Sequence, residues 1–495
     1  MLIIKLYKYF FMGFIITSMV LLADCRDISY GAKPSGPNLF HGTLRPHPEN
    51  PRYFTDGKGR AIYLTGSHVW DSLQDWGGPT PDFDYDAYLN LLKANNHNFI
   101  RLWRIGECTI KGTNPRTLIT PMPWKRTGPG LANDGEPKFD LTRFDDEYFS
   151  RIRSRVKEAG NRGIYVSIML FDGIYDWKTH PFNKENNVNG IDGDTFKDGT
   201  GRGVHALDLP DITRLNERYI RKVIDTVNDQ DNVLYEVGNE IKRHSVEWQY
   251  HVINYIHAYE KKKLKKHPVG MTSTGGNGVD DVTNKDLFNS PADWISPRSS
   301  EPGQNYSYNP PPATGKKVII SDTDHLWGIL SDPTPQWVWK SFLRGMNPIL
   351  MDVLQNSAPG RTEKWNDPGR PGLAETRLAM GQTLKYASRM NLSKMMPFVE
   401  LASTGYCLAD RGVEYLVYFP FDDLRSREQY LHKLGILDIK ISVDLYAVPG
   451  TFRIEWFNTM TNEITDGGIV EGGSNQYFKI PFTGDAVLYL YREKM

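Results

Sequence analysis

Cysteine is scarce in this chain of 495 residues, which contains only Cys25, Cys108 and Cys407. Cys25 ends an apolar N-terminal stretch and the other two fall in different predicted domains, so no disulfide framework is indicated. Net charge is absent too, because 59 basic residues balance 59 acidic ones. Without a basic excess, nucleic acid is not an expected partner.

Several motifs of well-known chemistry are missing as well. The sequence has no HExxH zinc motif, no paired CxxC metal site, no glycine-rich phosphate loop and no serine nucleophile elbow. We therefore expect no metal ion and no cofactor. What remains is the composition of a soluble globular protein, with 39% hydrophobic and 24% charged residues. The 12 Trp and 26 Tyr residues are many for this length and fit a sugar-binding cleft, where flat rings pack on pyranose faces.

The longest apolar run is Phe10–Ala23, and Lys5 and Lys8 precede it. This arrangement is typical of an export signal, and at about 14 residues the run is short for a transmembrane helix. It ends in LLADC, which resembles a bacterial lipobox with Cys25 as the lipidated residue, although Asp24 replaces the usual small neutral residue. Lipidation at Cys25 with membrane attachment, plain secretion and an uncleaved anchor remain the alternatives. We expect residues 1–25 to be a signal segment of an exported bacterial protein.

Eight short apolar runs alternate with helical stretches in the first four-fifths of the chain. Eight parallel strands are the number at which such a sheet closes on itself, so residues 38–392 are predicted to form a (β/α)8 TIM barrel, an α/β fold. The runs are Ala61–Thr65, Asn98–Trp103, Gly163–Leu170, Asn232–Val237, Val269–Ser273, Asp293–Ser296, Val318–Ser321 and Pro348–Met351.

Two further features complete the predicted organisation. Long insertions rich in Gly, Pro, Asn and Asp follow the second and third strands, at Glu107–Leu141 and Asp172–Leu209, and are expected to form the rim of a site. After about residue 395, four strand-like segments are separated by glycines, which predicts a small antiparallel β-sandwich over residues 396–495. These segments are Tyr415–Phe421, Thr451–Phe457, Gln476–Ile480 and Ala486–Tyr491.

The strongest candidate for chemistry is the pair Asn239-Glu240, at the end of the fourth predicted strand. Barrel enzymes place their catalytic groups at this end. Glycosidic bond cleavage needs one carboxylic acid to protonate the leaving oxygen and a second carboxylate to attack the anomeric carbon or activate water. Glu240 fits the first role, and Asn239 is placed to donate a hydrogen bond to a sugar hydroxyl. The alternative is that Glu240 caps the next helix or pairs with Arg243.

The second carboxylate is expected after the seventh strand, where the sequence reads SDTDHLWG. Asp322 is the preferred nucleophile and Asp324 the second choice. If the strand continues, these two point to one side and His325 to the other. The alternative is a structural Asp–His–Arg network below the site.

An Asn-Glu pair on strand four followed by an acid on strand seven resembles clan A, the 4/7 superfamily of retaining glycoside hydrolases, over about Arg52–Arg389. Within that clan the chain looks closest to DUF4038-like barrels. Its tail, Tyr415–Tyr491, resembles a domain named for collagen binding, a name that is not evidence for collagen here. The resemblance implies a retaining glycosidase, with Arg101 in the place of the clan's strand-two arginine that supports the nucleophile.

One position departs from the clan pattern, which has Glu where this chain has Asp322. Asp is one methylene shorter, so its carboxyl is expected about 1 Å further from the sugar. A shifted backbone, a wider gap that admits water and favours inversion, and a pocket that binds without cleaving are the three interpretations.

Other polar or aromatic residues at strand ends are candidates for substrate binding. Arg101 and Arg104 lie three residues apart and face opposite sides of an ideal strand, and Arg101 is alternatively an ordinary ion pair. Trp70 is either a stacking platform or core. The remaining candidates are His68, Asp172, His325, Trp327 and Asp352.

The sequence supports three functional hypotheses. The first is a glycosidase acting on a polysaccharide or oligosaccharide. The second is an exported glycan-binding protein on a barrel that has lost turnover, and the third is a matrix adhesin that uses the C-terminal sandwich. The sugar, the linkage and the oligomeric state are not determined by the sequence.

Overall fold

The computed structural model describes residues 39–76, 83–109, 118–275, 278–301, 304–327, 334–353 and 372–492. The predicted signal segment and Cys25 lie outside the described residues. Within them, no helix is long and apolar enough to cross a membrane.

Eight parallel strands form one sheet whose hydrogen-bonded order is β1-β8-β7-β6-β5-β4-β3-β2. This confirms the predicted TIM barrel. The strands are β1 Gly66–His68, β2 Phe99–Leu102, β3 Tyr165–Asp172, β4 Val233–Asn239, β5 Val269–Thr272, β6 Trp294–Ser296, β7 Val318–Asp322 and β8 Asn347–Met351.

The seam between β1 and β2 is closed by one asparagine rather than by a regular ladder. Asn98 donates its backbone N–H to the Thr65 carbonyl at 3.0 Å, and its Oδ1 accepts the Thr65 N–H at 2.9 Å. The backbones are so close that a Cβ at Gly66 would lie 2.1 Å from the Phe99 carbonyl oxygen. Strand β1 begins at Gly66, so the prediction of a strand at Ala61–Thr65 was wrong. The backbone N–H groups of Leu64 and Thr65 donate instead to the side-chain amides of Asn347 and Asn98.

The helices follow the predicted alternation closely. Asp145 caps α2 by accepting the Glu147 N–H at 3.0 Å, and Pro210 begins α3 at a position where no N–H is needed. The helices are α1 Tyr85–Ala94, α2 Asp146–Gly160, α3 Pro210–Val227, α4 Val246–Glu260, α5 Asn284–Asn289, α6 Thr323–Trp327, α7 Pro335–Leu343, α8 Leu373–Arg389 and α9 Ser426–Lys433.

The two long insertions fold together. The first contains an antiparallel pair, Trp124–Leu131 with Pro137–Phe144. The second hydrogen-bonds to it, because Phe139 donates its N–H to the Asn186 carbonyl at 2.9 Å. They share an apolar cluster with residues that include Trp124, Phe139, Trp177 and Phe182. The insertions thus form one packed wall beside β2 and β3 rather than two separate loops.

The C-terminal segment forms a six-stranded antiparallel sheet, in the order β9-β10-β11-β16-β13-β14, and a two-stranded sheet of β12 and β15. The sequence analysis found four of these eight strands and missed the rest, which are short or largely exposed. The strands are β9 Met396–Pro397, β10 Cys407–Asp410, β11 Glu414–Phe419, β12 Lys440–Asp444, β13 Thr451–Asn458, β14 Ile464–Glu471, β15 Asn475–Lys479 and β16 Ala486–Tyr491.

The six-stranded sheet is apolar on both faces. Along β11, Tyr415 and Val417 join the cluster that contains Ile441 and Phe478 of the smaller sheet. Leu416 and Tyr418 face the other way and join the cluster that contains the barrel helices. This second face packs on α7 and α8, where the ring of Trp339 stacks on Tyr418 at 5.9 Å.

Replacing Trp339 by Ala should therefore destabilise the barrel and the C-terminal sheet together. Trp339 is fully buried and also packs against Tyr386 and Phe457. We expect the free energy of unfolding, measured by urea denaturation, to fall by about 3–5 kcal/mol. Leu264→Ala is the control, since Leu264 is 83% exposed. A mutant in which only a separate C-terminal transition shifts would contradict the shared core.

Candidate active site

A buried guanidinium joins three strands at the C-terminal end of the barrel. Arg101 of β2 donates to Glu236 of β4 through Nε at 2.9 Å and through Nη2 at 2.5 Å. Its Nη1 donates to Oδ2 of Asp322, on β7, at 2.6 Å. All three side chains are at most 1% exposed. This bidentate pair plus a third hydrogen bond fixes the relative positions of β2, β4 and β7.

Both carboxylate oxygens of Asp322 accept hydrogen bonds within this network. His68 Nε2 lies 3.0 Å from both carboxylate oxygens, and Oδ1 also accepts the Asp324 N–H at 3.0 Å. Burial would raise the pKa of Asp322, but His68 and Arg101 outweigh it and hold that pKa below its ordinary value. Asp322 is thus an ionised carboxylate without a free face. An Asp–His–Arg network, one of the alternatives from the sequence, is present.

Asp324 has the opposite character. Strand β7 ends at Asp322 and helix α6 begins at Thr323, so the expected alternation of side chains along a continuing strand was wrong. The Asp324 side chain is 11% exposed, and Oδ2 is a buried atom with no hydrogen-bond partner among the described residues. It lies 4.0 Å from Arg101 Nη1. Burial, then the charges of Asp322 and Glu240, raise the pKa of Asp324 well above its usual range.

The α6 turn also brings His325 into the site. Its Nε2 lies 3.0 Å from Asn239 Oδ1, and its Nδ1 lies 2.9 Å from the Ser296 hydroxyl. Because Asn239 Oδ1 can only accept, Nε2 carries the proton and the serine donates to Nδ1. Burial lowers the pKa of His325 to about 3, so the ring is neutral. His325 and Arg101, which donates to the same oxygen at 3.2 Å, fix the Asn239 side chain.

Glu240 follows β4 in a left-handed backbone conformation, with φ = 50°. This conformation is uncommon for a residue with a side chain. The loop after β3 lies directly against it, since a Cβ at Gly173 would be 2.8 Å from the Glu240 carbonyl oxygen. Sheet pairing of β3 with β4 and the missing side chain at Gly173 hold Glu240 in place.

Glu240 and Asp324 border the same space. A Cβ at Gly275 would lie 3.6 Å from Glu240 Oε1 and 3.5 Å from the Asp324 carbonyl oxygen. Gly275 itself has φ = 70°, a conformation that favours glycine. The Glu240 carboxyl group and the backbone of Asp324 thus border one position that no side chain fills, and the two carboxyl groups are close enough for the charge of Glu240 to oppose ionisation of Asp324.

Glu240 also lines a cavity of about 690 Å³. Its walls come from the loops after β3, β4 and β5 and include Tyr175, Arg202, Lys242 and Asp280. Lys242 is paired with Asp281 at 2.8 Å, which also lines the cavity. The volume is in the range of small-ligand sites.

The other predicted binding residues have different surroundings. Arg104 donates to the Leu170 carbonyl and lies over the Tyr219 ring, on the opposite side of β2 from Arg101. Asp352 is tied to Arg377 of α8, with Nε at 2.8 Å from Oδ2.

The two predicted aromatic residues are half-buried. Trp70 stacks on Trp76 at 6.0 Å, and Trp327 packs edge-on against Trp337. Asp172 lies beside Glu240, as described below. His68, Asn239, Arg101 and His325 thus meet around Asp322, whereas Arg104 and Asp352 are engaged elsewhere.

The sequence analysis missed three residues that contact the core of the site. Glu236 was detectable as a charge inside an otherwise apolar strand, and it is fully buried. Tyr175 lies within a long insertion where no periodic pattern marks it, and its hydroxyl donates to Glu240 Oε2 at 2.9 Å. Glu107 accepts the Tyr175 N–H at 2.6 Å, and burial raises the pKa of Glu107 to about 7.

No group of three or more His, Cys, Asp and Glu side chains among the described residues is arranged to hold a metal ion.

Comparison with known proteins supports the fold. Residues 119–296 match the family model described as a domain of unknown function, DUF6298. No curated protein matches the chain significantly. Among solved structures, a glycoside hydrolase family 5 protein from Bacteroides vulgatus ATCC 8482 is similar, with a TM-score of 0.57 and 14% identity. The match covers 91% of this chain and 94% of that one.

A second structure, described as a glycoside hydrolase, matches with a TM-score of 0.57 and 11% identity over 92% of this chain and 97% of that one. These similarities show that the chain has a fold like that of the family 5 protein. The more specific resemblances, to DUF4038-like barrels and to the collagen-binding domain, are not confirmed.

Replacing Arg101 by Met should leave Glu236 as a buried carboxylate without its partner and Asp322 with only His68 and the Asp324 N–H. We expect a loss of about 3–5 kcal/mol in the free energy of unfolding at pH 7. The lowered pKa of Asp322 stabilises the wild type above the pKa of an unfolded Asp, and this contribution disappears as the pH falls. In the mutant, protonation of Glu236 or Asp322 removes the repulsion between these two carboxylates.

The difference in the free energy of unfolding between the wild type and Arg101→Met should therefore shrink below about pH 4. Urea denaturation at pH 7 and pH 3.5 measures the difference in the free energy of unfolding. The control is Arg214→Met, which removes an exposed ion pair. A difference that is independent of pH would contradict the network.

Proposed function

We propose that this chain is an exported glycoside hydrolase that cleaves O-glycosidic bonds of a polysaccharide or oligosaccharide. The observation that carries the proposal is the pair Glu240 and Asp324, whose carboxyl groups interact by charge at the C-terminal end of a family 5-like barrel. Such a pair, one protonated and one ionised, is what glycoside cleavage requires. Export rests on the N-terminal sequence alone.

Glu240 is the acid in this proposal. It lines the cavity of about 690 Å³, whereas neither Asp322 nor Asp324 does, so a leaving group in that cavity would meet Glu240 first. The cavity lining carries Arg202 and Lys242 against Asp280 and Asp281, which balances positive and negative charge. A neutral sugar is therefore the expected leaving group.

Asp324 is the carboxylate that acts at the anomeric carbon. Asp322 stands where the clan has its nucleophile, but both of its oxygens are hydrogen-bonded and it is 1% exposed. Asp324 is partly exposed, and Oδ2 lacks a hydrogen-bond partner among the described residues. Buried polar groups without partners are rare and often functional. Asp322, shorter than the clan's Glu, then acts by orienting Arg101 and the α6 turn that carries Asp324.

The Asp324 carboxyl group has to lose its proton before it can attack, because burial, then the charges of Asp322 and Glu240, raise its pKa in the free site. Transfer of that proton to Glu240 as the substrate binds leaves Asp324 ionised and Glu240 protonated. One proton shared by two carboxyl groups supplies an acid and a base at once.

Glu240→Gln and Asp324→Asn should each abolish most of the activity. The wild type is first screened on 4-nitrophenyl glycosides of common hexoses and pentoses and on plant and bacterial polysaccharides. Loss of a positioned acid or base costs about 10²–10⁴-fold in kcat. Asp352→Asn is the control, because Asp352 is bound to Arg377.

Comparison of Asp324→Ala with Asp322→Ala shows which of the two aspartates is the nucleophile. If Asp324 is the reacting carboxylate, azide should restore turnover of an activated glycoside in Asp324→Ala and not in Asp322→Ala, because a small anion fills only the space of the missing nucleophile. Rescue in Asp322→Ala alone would show that Asp322 is the nucleophile. Saturable glycan binding without release in the wild type would favour a glycan-binding protein.

The stereochemistry gives an independent check. We expect retention, because a carboxylate that reaches the anomeric carbon forms a covalent intermediate and gives two inversions in sequence. Proton NMR of the first-formed anomer during hydrolysis measures the outcome. An inverted product would mean that Asp324 activates water.

A further inference from the structure

The Tyr175 hydroxyl lies between two carboxyl groups. It is 2.9 Å from Glu240 Oε2 and 3.1 Å from Asp172 Oδ1. Asp172 ends β3 and Glu240 follows β4, and these neighbouring strands pair at Asn239 and Asp172. The loop that carries Tyr175 is held by Glu107, which accepts the N–H groups of Tyr175 and Asp176.

The number of protons in this chain of hydrogen bonds is constrained. A phenol has one proton, so it can donate to only one of two carboxylates. If Asp172 and Glu240 were both ionised, one of the two short oxygen–oxygen contacts would have no proton between two lone pairs. Both contacts are satisfied when one of the carboxyl groups is protonated and donates to the Tyr175 oxygen.

The surroundings favour Asp172 as the protonated member. It is 2% exposed, and its Oδ2 is buried without a hydrogen-bond partner among the described residues. Its Oδ1 accepts only the Gly173 N–H, at 2.9 Å, besides the Tyr175 contact. An ionised carboxylate here would be poorly solvated. Burial, then the nearby Glu107 and Glu240, raise the pKa of Asp172 well above its usual range.

The charged groups around this chain offer Asp172 little compensation. Glu107 approaches from the loop after β2 and Glu240 from the end of β4, and both are acidic. Arg104 acts on Glu107, where it lowers the pKa against the larger effect of burial. Glu240 is less enclosed than Asp172 and lines the open cavity, so a negative charge is better solvated there.

We propose that Asp172 is a neutral carboxylic acid that donates to Tyr175, whose hydroxyl in turn donates to Glu240 Oε2. The two residues are positioning residues for Glu240. They anchor Oε2 and leave Oε1, on the Gly275 side, free to exchange a proton with the glycosidic oxygen. This role rests on the proposed function, whereas the protonation of Asp172 does not.

The protonation state is tested by carbon-13 NMR of the full-length protein labelled at the side-chain carboxyl carbons of Asp. The Asp172 signal is identified by its loss in Asp172→Asn. We expect that signal to keep the chemical shift of a protonated carboxyl group from pH 5 to pH 7.5. Titration with a midpoint near 4 would overturn the proposal. This measurement needs no substrate, so it stands even if no glycoside is cleaved.

The positioning role is tested with variants that differ in donor ability. Asn has the shape and the neutral charge of a protonated Asp and can donate to Tyr175, so Asp172→Asn should keep kcat within about threefold. Asp172→Ala and Tyr175→Phe remove the donor and should lower kcat about tenfold or more, as expected for loss of a hydrogen bond to a charged group. Asp176→Asn, in the same loop, is the matched control.

The pH dependence distinguishes positioning from a general loss of structure. Tyr175→Phe removes a donor that stabilises a negative charge on Glu240, so the alkaline limb of kcat should move to higher pH. Asp172→Asn should leave that limb unchanged. If Asp172 is ionised in the wild type, Asn removes a negative charge beside Glu240, and the limb moves to lower pH instead. That result would overturn the proposal.

Discussion

The interaction on which the site depends is the buried guanidinium of Arg101. One side chain satisfies Glu236 on β4 and Asp322 on β7, and it contacts the Asn239 amide oxygen as well. Three polar groups that would be costly to bury alone are thereby made compatible with a barrel interior. The ends of three strands are fixed in register as a result, and the loops that follow them begin from defined positions.

Charge is distributed unevenly around this network, and the geometry explains why. Asp322 receives His68, Arg101 and a backbone N–H, so its ionised form is stabilised. Asp324 and Asp172 lack comparable hydrogen bonds among the described residues, so burial opposes their ionised forms in the free site. Glu240 lies between these two carboxyl groups and beside the open cavity. A barrel rim that holds both ionised and neutral carboxyl groups is suited to proton transfer.

Backbone conformation determines how Glu240 is presented. Its left-handed φ costs free energy, and the close approach of Gly173 and the pairing of β3 with β4 maintain it. The insertion after β3 then supplies Tyr175, which holds one carboxyl oxygen. The same insertion packs against the described part of the insertion after β2 through a shared apolar cluster.

The sequence by itself determined the order of barrel strands and helices, because apolar runs and amphipathic periods report burial locally. It also identified Glu240, Asn239, Arg101 and the SDTDH segment, since polar residues at strand ends stand out against apolar neighbours. Tertiary structure alone decided which of them meet. The α6 turn brings Asp324 and His325 to the site together, and Tyr175 reaches Glu240 from 65 residues away in the chain. Such contacts depend on loop conformation and on hydrogen bonds between distant segments, for which no local pattern exists.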